Sequence, residues 1–234
     1  QTYQNLEFII VSDNPNNIEA IKYVQDVMGR DNRIIFLQNE SNFGLVYSLN
    51  LAIRHASGEY IARMDADDVS VTTRIEEQVQ YMEKHKDVHL LGTEVELIDE
   101  NSNVISSKIK KRSKKEKNLA RILRYGNVFI HPSIIIRKAT FDEIGYYREI
   151  KYAEDYDLIL RMLDNNKKIA ILDRKLLRYR IRSDSISRSK TFEQNMNAER
   201  LRILYKRKKL NDIESISFDQ IEVSLVSKIN VSLN

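Results

Sequence analysis

The chain has 234 residues, with 38 Lys and Arg against 34 Asp and Glu, and its formal net charge is +4. Hydrophobic residues make up 42% and charged residues 31% of the sequence, a balance typical of a folded globular protein rather than a disordered one. The absence of cysteine excludes a disulfide framework, a thiolate zinc site and a cysteine nucleophile. No apolar run in the sequence reaches the ~20 residues that a membrane-spanning helix needs.

The first half of the chain alternates strand-like and helix-like segments. Runs that are apolar on both faces predict buried parallel strands at residues 7–11, 33–37 and 59–64. Apolar residues at helical spacing follow the first two runs, and we expect those helices to end at Gly29 and Gly58. Thr73 and Glu76 have the spacing of a capping box that opens a third helix. Three βα units predict an α/β fold with a mostly parallel central sheet and helices on both faces.

Acidic residues stand where two of these strands end, which is the edge at which such sheets bind ligands. Asp13 follows the first strand, and Asp65, Asp67 and Asp68 follow the third. Three carboxylates within four residues repel one another. A divalent cation such as Mg²⁺ or Mn²⁺ relieves that repulsion and prefers oxygen ligands. The alternative, acidic residues that favour a helix dipole, explains the run poorly because Thr73 caps the helix several residues later.

The second half of the sequence is less regular. Strands are expected at residues 90–95, 104–106, 129–136 (interrupted at Pro132) and 169–172. A long helical stretch from about Phe192 to Leu210 predicts a C-terminal helical extension, and a polar tail follows it. Glu154 and Asp155 open a predicted helix, where a carboxylate is either a general base or a helix cap.

Two segments concentrate positive charge. Residues 108–124 carry nine Lys and Arg against one Glu, and residues 200–209 end in Lys206-Arg207-Lys208-Lys209. The first segment is either a solvated helix or loop, or a surface for nucleic acid, anionic lipid or an acidic acceptor. It lacks interleaved aromatic residues, which weakens the nucleic-acid interpretation. The second segment either contacts a membrane surface or packs on the sheet.

The ordered set of motifs resembles glycosyltransferase family two. The motifs are Asn42-Phe43-Gly44-Leu45, Ser48-Leu49-Asn50, Ala56 to Asp68 with its Asp-x-Asp sequence, Arg74-Ile75-Glu76-Glu77-Gln78, His131-Pro132-Ser133, Glu154-Asp155-Tyr156-Asp157-Leu158 followed by Arg161, Tyr179-Arg180-Ile181-Arg182 and Ser185-Ile186-Ser187. The resemblance runs from Gln1 to about Ser189 in the order that the family has. The Asp-x-Asp motif alone is weakly specific, whereas the ordered set is strongly so.

The resemblance implies a GT-A fold, in which a Rossmann-like half binds a nucleotide-sugar and a second half binds the acceptor. It implies three regions: a nucleotide-sugar-binding half at 1–100, an acceptor-binding and catalytic half at 101–189, and a helical extension with a tail at 190–234. The family normally begins with one further strand and helix, so we expect ~30 residues of the family pattern to be absent before Gln1. The nucleotide-binding half is therefore expected to be incomplete at its N-terminus.

The resemblance also implies roles for individual residues. Those expected to bind the nucleotide are Asp13, Asn42, Gly44, Asn50, Arg63 and Asp65. Asp67 matches the metal ligand, for Mg²⁺ or Mn²⁺, and Asp155 matches the catalytic base with Glu154 as its companion. Residues expected to contact acceptor or phosphate are His131, Arg161 and Arg182. His131, which lies in an apolar strand, is equally well interpreted as a structural histidine.

The function implied by the resemblance is metal-dependent, inverting transfer of a sugar from a nucleotide-diphosphate donor, by default a UDP-sugar, to a hydroxyl acceptor. The family's usual setting is bacterial surface-polysaccharide or glycolipid synthesis. The expected acceptor is a saccharide or lipid-linked saccharide, and the expected location is the cytoplasm, at the inner face of the membrane. The alternative is a non-catalytic protein that binds nucleotide-sugars or glycans. Nucleic acid is not an expected partner, because the clustered carboxylates disfavour it.

Overall fold

The computed structural model describes residues 1–105, 116–182, 190–213 and 218–221. The strands in these residues are β1 (Phe8–Ser12), β2 (Ile34–Gln38), β3 (Tyr60–Ala62), β4 (Val69–Ser70), β5 (Val88–Ile98), β6 (Ile135–Arg137) and β7 (Lys168–Arg180). The α-helices are α1 (Ile18–Met28), α2 (Leu45–His55), α3 (Arg74–Lys84), α4 (Glu116–Leu123), α5 (Ala139–Ile144), α6 (Glu154–Asp164) and α7 (Thr191–Lys206). Among the described residues, no helix combines the length and apolar composition that crossing a membrane requires.

The strands form two sheets. β1 and β2 pair in parallel, and the other five strands form a sheet in the order β3-β6-β5-β7-β4. Within the larger sheet only the long pair β5–β7 is parallel, whereas β3–β6, β5–β6 and β4–β7 are antiparallel. The predicted α/β class is confirmed. The expectation of a mostly parallel sheet is wrong for the five-stranded sheet, because the short strands β4 and β6 run against the longer ones.

The ends of the first two helices agree only partly with the glycine signals. α1 ends at Met28 immediately before Gly29, as expected. α2 ends three residues before Gly58, because Ala56 is already extended with φ −63° and ψ 134°. The backbone therefore leaves the helix before it reaches the residue that the sequence suggested as its end.

The capping box predicted at the start of α3 does not form. The hydroxyl of Thr73 donates to the Glu77 carboxylate, with an oxygen–oxygen distance of 2.8 Å, instead of capping a backbone N–H. The Glu76 carboxylate accepts a hydrogen bond from the hydroxyl of Thr2 at 2.6 Å. The first residues of the chain thus occupy the partner that the capping box would have used.

The region around Pro132 is more bent than the predicted strand. Residues 131–133 form one turn of 3₁₀-helix, and the paired strand that follows is the three residues of β6. The expected strand at 104–106 is reduced to a bridge between Val104 and Ile98. By contrast, β7 continues far beyond the expected 169–172 and ends at Arg180, next to the acidic run that follows β3.

One hydrophobic core joins the three regions expected from the sequence. Its buried members run from Val46 in α2, through Leu158 in α6, to Leu204 in α7 and Ile213. A second, smaller core around Met82 packs α3 on the sheet. The division at residues 100 and 189 is therefore not a structural boundary, and it stays a prediction about how function is divided along the chain.

A buried carboxylate fixes α6 to its surroundings. Asp157 has no exposed side-chain surface, and it accepts hydrogen bonds from the Nε atoms of Arg148 (3.0 Å) and Arg161 (2.9 Å). Arg148 also donates to the carbonyl of Leu210, 2.8 Å away, in the C-terminal extension. Because buried charges are stable only when they are paired, this network sets the position of α6.

Asp13, at the end of β1, holds the loop that leads into α2. Its carboxylate accepts hydrogen bonds from the side chain of Asn39 (2.7 Å) and from the backbone N–H groups of Phe43 and Gly44 (both 2.8 Å). Burial raises the pKa of Asp13, but these hydrogen bonds outweigh burial and leave the pKa below its usual value. Gly44 has φ +89°, a conformation that favours glycine. Asp13 therefore supplies the N-terminal cap that α2 lacks from its own first residues.

A cleft of about 870 Å³ is lined by residues of both sheets. Phe8 of β1 and Tyr60 of β3 are among them, as are Arg63, Asp68 and Arg74. The cleft therefore includes a residue of the acidic run.

Asp13→Asn tests the role of this carboxylate in the loop. The amide that replaces it presents an N–H₂ to one of the backbone donors, so we expect a loss of about 1 kcal/mol in the free energy of unfolding at neutral pH. Hydrogen exchange at the Phe43 and Gly44 amides should become faster. The pKa of Asp13 is lowered on folding, so its contribution is present above the unfolded pKa of about 3.9 and is lost as pH falls through the lower folded pKa.

The matched control is Asp26→Asn on α1. It removes the carboxylate of an exposed ion pair with Arg30, which lies just after the helix. We expect no measurable change in urea unfolding for this variant. Equal stability and equal amide exchange in Asp13→Asn and the wild type would contradict the role of Asp13.

Candidate active site

The acidic run forms a turn directly after β3. The backbone N–H of Asp68 donates to the carbonyl of Asp65 at 3.3 Å, which brings the side chains of Asp65, Asp67 and Asp68 together. One carboxylate oxygen from each lies within 4.8 Å of the others. Asp67 is exposed, Asp65 is partly buried and Asp68 is buried. The turn therefore offers several carboxylate oxygens toward one point.

Within the described part of the chain, Asp68 has an oxygen with no hydrogen-bond partner. Its Oδ1 accepts from the backbone N–H of Arg180 at 2.8 Å, whereas Oδ2 is buried and makes no hydrogen bond. Burial, together with the charges of Asp65 and Asp67, raises the pKa of Asp68 to about 6. A buried carboxylate oxygen that lacks a donor, next to two more carboxylates, fits the oxygen ligands that Mg²⁺ or Mn²⁺ prefers. Sequence reasoning named Asp67 as the ligand and Asp68 only as its neighbour.

The end of β7 fastens this turn. Besides its backbone N–H, Arg180 donates from Nε to the carbonyl of Asp67 at 2.7 Å and from Nη1 to that of Asp99 at 2.8 Å. Arg180 belongs to the C-terminal motif of the sequence, but its role in holding the turn had no signal of its own. Arg182 lies two residues beyond the end of β7. The rest of that motif, 185–187, lies outside the described residues.

Arg63 connects the acidic turn to the rest of the site. Its guanidinium makes a two-pronged ion pair with Asp65, with nitrogen–oxygen distances of 2.7 and 2.5 Å, and its side chain is only 9% exposed. Its backbone is also fixed, because its N–H donates to Ile134 at 3.1 Å and its carbonyl accepts from Arg74 at 2.7 Å. The charge of Arg63 also acts on Glu154 and other groups across the site.

Glu154 and Asp155 lie in the first turn of α6, and the charge of Arg63 acts on both. Asp155 accepts hydrogen bonds from the side chain of Asn127 and from the backbone N–H of Tyr156, both at 2.7 Å. Burial raises the pKa of Asp155, and burial together with the charge of Asp155 raises the pKa of Glu154 to about 7. The cap position belongs to Ala153, so the alternative interpretation of this pair as a helix cap is not supported.

His131 links Tyr147 to Glu154. Nε2 of His131 is 2.9 Å from the Tyr147 hydroxyl, and Nδ1 is 3.9 Å from a carboxylate oxygen of Glu154. Burial, with a smaller contribution from the charge of Arg63, lowers the pKa of His131 well below its usual value. His131 is therefore a neutral residue that lies next to Glu154. Its burial fits the interpretation as a structural histidine, and its place beside the acidic pair fits the interpretation as a site residue.

Two residues that were expected to contact a ligand form hydrogen bonds within the protein. Asn50 pairs with the backbone of Tyr147 in both directions, at 2.9 and 3.0 Å. Arg161 is 3% exposed and donates to Asp157 and to the carbonyls of residues 144–146. That Asn50 lines the nucleotide pocket and that Arg161 contacts acceptor or phosphate stay predictions, and the described contacts of both residues are with the protein itself. Both residues hold the segment that carries Tyr147.

The remaining predicted residues lie near the end of β1. Asn42 is exposed, and Gly44 has open space where a side chain would extend. Asp13 holds this loop through its carboxylate. Sequence reasoning missed Asn127 and Tyr147, and it placed Arg74 in a motif without giving it a role. Each of them acts through contacts between distant parts of the chain, which no local spacing reveals.

Comparisons with known proteins agree with this geometry. Residues 1–145 match the model of glycosyl transferase family 2. An uncharacterised glycosyltransferase of Methanocaldococcus jannaschii is 37% identical over 192 residues, which are 81% of this chain and 66% of that protein. The O-antigen biosynthesis glycosyltransferase WbnJ of Escherichia coli is 33% identical over 192 residues, or 81% of this chain and 73% of that protein.

Solved structures show the same fold. The crystal structure of S. aureus TarS 1–349 in complex with UDP has a TM-score of 0.62 and 20% identity, and covers 96% of this chain and 68% of that one. Its similarity confirms the predicted GT-A fold. The family match covers more than half of the chain, and the sequence relatives include a protein of bacterial polysaccharide biosynthesis. The chain therefore belongs to glycosyltransferase family 2.

Proposed function

We propose that this protein transfers a sugar, with inversion, from a UDP-sugar to the hydroxyl group of a saccharide or lipid-linked saccharide acceptor. The observation that carries the proposal is that Arg63 pairs with Asp65 of the acidic turn, while its charge also acts on the carboxylates of Glu154 and Asp155. A glycosyl transfer needs these two features: a site for a diphosphate leaving group and a base for the acceptor hydroxyl.

The acidic turn is the proposed site of the donor diphosphate. Asp67 and the unpartnered oxygen of Asp68 would hold Mg²⁺ or Mn²⁺, which when bound stabilises negative charge on the leaving diphosphate. Arg63 neutralises Asp65 and keeps the turn compact when no phosphate is present. The loop that Asp13 holds, with Asn42 and Gly44, is the proposed nucleotide side of the site.

Asp155 is the proposed general base. Hydrogen bonds from Asn127 and from the N–H of Tyr156 hold its carboxylate in one orientation. The carboxylate is therefore preorganised to accept the proton of an acceptor hydroxyl. Burial raises the pKa of Asp155, which makes its carboxylate a stronger base than an exposed aspartate. With the base and the leaving group on opposite sides of the sugar, displacement inverts the anomeric carbon.

The prediction of a surface that contacts the membrane rests on the basic segments. Residues 108–115 of the first segment lie outside the described residues. The described end of that segment meets the second one, because Arg202 of α7 donates to the carbonyl of Tyr125 just beyond α4. The exposed basic residues 206–209 follow directly. We propose that this basic surface rests on the inner face of the bacterial membrane, where lipid-linked acceptors are present.

Asp155→Asn tests the assignment of the base. The amide cannot accept the hydroxyl proton, so we expect the rate of sugar transfer to fall by about 10²–10⁴-fold, while calorimetric binding of the UDP-sugar stays near that of the wild type. The matched control is Asp164→Asn at the other end of α6, where the carboxylate accepts only from Lys208 among its described contacts. It should transfer sugar at the wild-type rate.

Transfer that persists in Asp155→Asn would show that Asp155 is not the base. Wild-type protein that binds the donor but transfers no sugar to any saccharide acceptor would favour the alternative, a non-catalytic nucleotide-sugar-binding protein.

Charge reversal tests the membrane surface. Vesicles that contain phosphatidylglycerol should co-sediment the wild-type protein, and less so as salt is added. The double variant Lys206→Glu/Arg207→Glu should bind these vesicles much more weakly, whereas Lys22→Glu, an exposed change on α1, should bind like the wild type. Equal binding of all three proteins, or equal binding to pure phosphatidylcholine vesicles, would contradict the proposal.

A further inference from the structure

Tyr147 is a buried tyrosine that touches the site only through another residue. It is 6% exposed, and its ring packs against His131 at a centroid distance of 5.4 Å and against Phe141 at 6.0 Å. Its hydroxyl lies 2.9 Å from Nε2 of His131. Beyond the imidazole, on the Nδ1 side, lies Glu154 at 3.9 Å. The three side chains therefore form a row that ends at the acidic pair.

Several contacts fix the position of this tyrosine. Asn50 binds both the N–H and the carbonyl of Tyr147, and Arg161 binds the carbonyl of the preceding residue at 2.7 Å. Gly145, two residues before Tyr147, has φ +84°, which shapes the turn that leads to it. Arg161 is in turn fixed by buried Asp157 on α6. The tyrosine is thus held from both α2 and α6.

The row determines which nitrogen of His131 carries the proton. A buried hydroxyl needs an acceptor for its hydrogen, and Nε2 is the acceptor that the described contacts of Tyr147 offer. A neutral imidazole that accepts at Nε2 has its proton on Nδ1. Nδ1 is the nitrogen that faces Glu154. An N–H that faces a carboxylate favours the ionised carboxylate, whereas a lone pair at the same place disfavours it.

We propose that Tyr147 is a positioning residue, whose hydroxyl donates to Nε2 of His131 and so directs the Nδ1–H of that histidine at Glu154. The row favours the ionised form of Glu154 and so opposes the effect of its burial. An ionised Glu154 beside Asp155 makes Asp155 the stronger base, because like charges favour protonation. The consequence for catalysis rests on the proposed function, whereas the position of the proton on His131 does not.

Several other charged groups act on this row. Glu154 is influenced by Asp155, Arg63 and Glu149, and Tyr147 by Arg63, Asp155, Glu154 and Arg161. Arg63 also acts on His131 and opposes its protonation. These groups are unchanged when only the tyrosine hydroxyl is removed. A single-atom variant therefore isolates the effect of the hydrogen bond.

The first test is ¹⁵N NMR of the histidine side chains, because nitrogen chemical shifts distinguish the two neutral tautomers. The chain has four histidines, and His131→Gln identifies the signals of His131. We expect wild-type His131 to be neutral with its proton on Nδ1. Tyr147→Phe should lose that preference and populate the Nε2–H form. Tyr146→Phe, the neighbouring tyrosine with the same atom removed, should keep the wild-type tautomer.

A wild-type His131 with its proton on Nε2 would overturn the proposal without any variant. An Nδ1–H tautomer that is unchanged in Tyr147→Phe would also overturn it, provided that the signals of His55, His85 and His89 show a folded protein.

The second test is the pH dependence of sugar transfer. In Tyr147→Phe, Glu154 is less ionised and Asp155 loses part of the neighbouring charge that raises its pKa. We therefore expect the acidic limb of kcat to move to lower pH by about half a unit or more, with the KM for the donor unchanged, and in Tyr146→Phe we expect no shift. His131→Asn retains an N–H donor near the position of Nδ1, so it should keep a more nearly wild-type profile than His131→Gln. An unshifted Tyr147→Phe profile would overturn the catalytic consequence. Absence of transfer in the wild type contradicts the proposed function, whereas the NMR result stands by itself.

Discussion

The site depends on one buried cation, Arg63, whose charge acts on carboxylates from two distant parts of the chain. Arg63 is fixed by its backbone to Ile134 and Arg74, and its guanidinium is held by Asp65. A buried charge is costly unless it is paired. The ion pair with Asp65 therefore stabilises both the buried guanidinium of Arg63 and the acidic turn. Because the same charge also acts on Glu154 and Asp155, it makes one site of two acidic groups that are about 90 residues apart in the chain.

A second set of contacts fixes the position of α6, which carries the proposed base Asp155. Asp157, one turn into α6, binds Arg148 and Arg161, and these arginines reach the carbonyls of the segment before Tyr147 and of the C-terminal extension. Asn127 then orients Asp155 from outside the helix. α6 is therefore located by polar contacts as well as by its apolar face. This explains why Arg161, which has the sequence position of a ligand-binding residue, is buried.

The sequence was most informative where a function depends on adjacent residues. The carboxylates of the acidic turn lie within four positions, and Glu154 and Asp155 are neighbours, so local spacing predicted both sites. It failed where a contact joins distant segments: Tyr147 with Asn50, Asn127 with Asp155, and Arg180 with the acidic turn. The sheet was misjudged for the same reason. The apolar runs predicted every described strand except β4, but strand direction depends on which distant strand lies beside it.

The most direct test of the account is calorimetry of UDP binding in the presence and absence of Mn²⁺. If the acidic turn holds the metal and the donor diphosphate together, UDP binds with Mn²⁺ and at least ~10-fold more weakly without it, and Asp67→Ala loses this difference. Equal binding with and without Mn²⁺, or unchanged metal dependence in Asp67→Ala, would contradict the assignment of the acidic turn as the donor site.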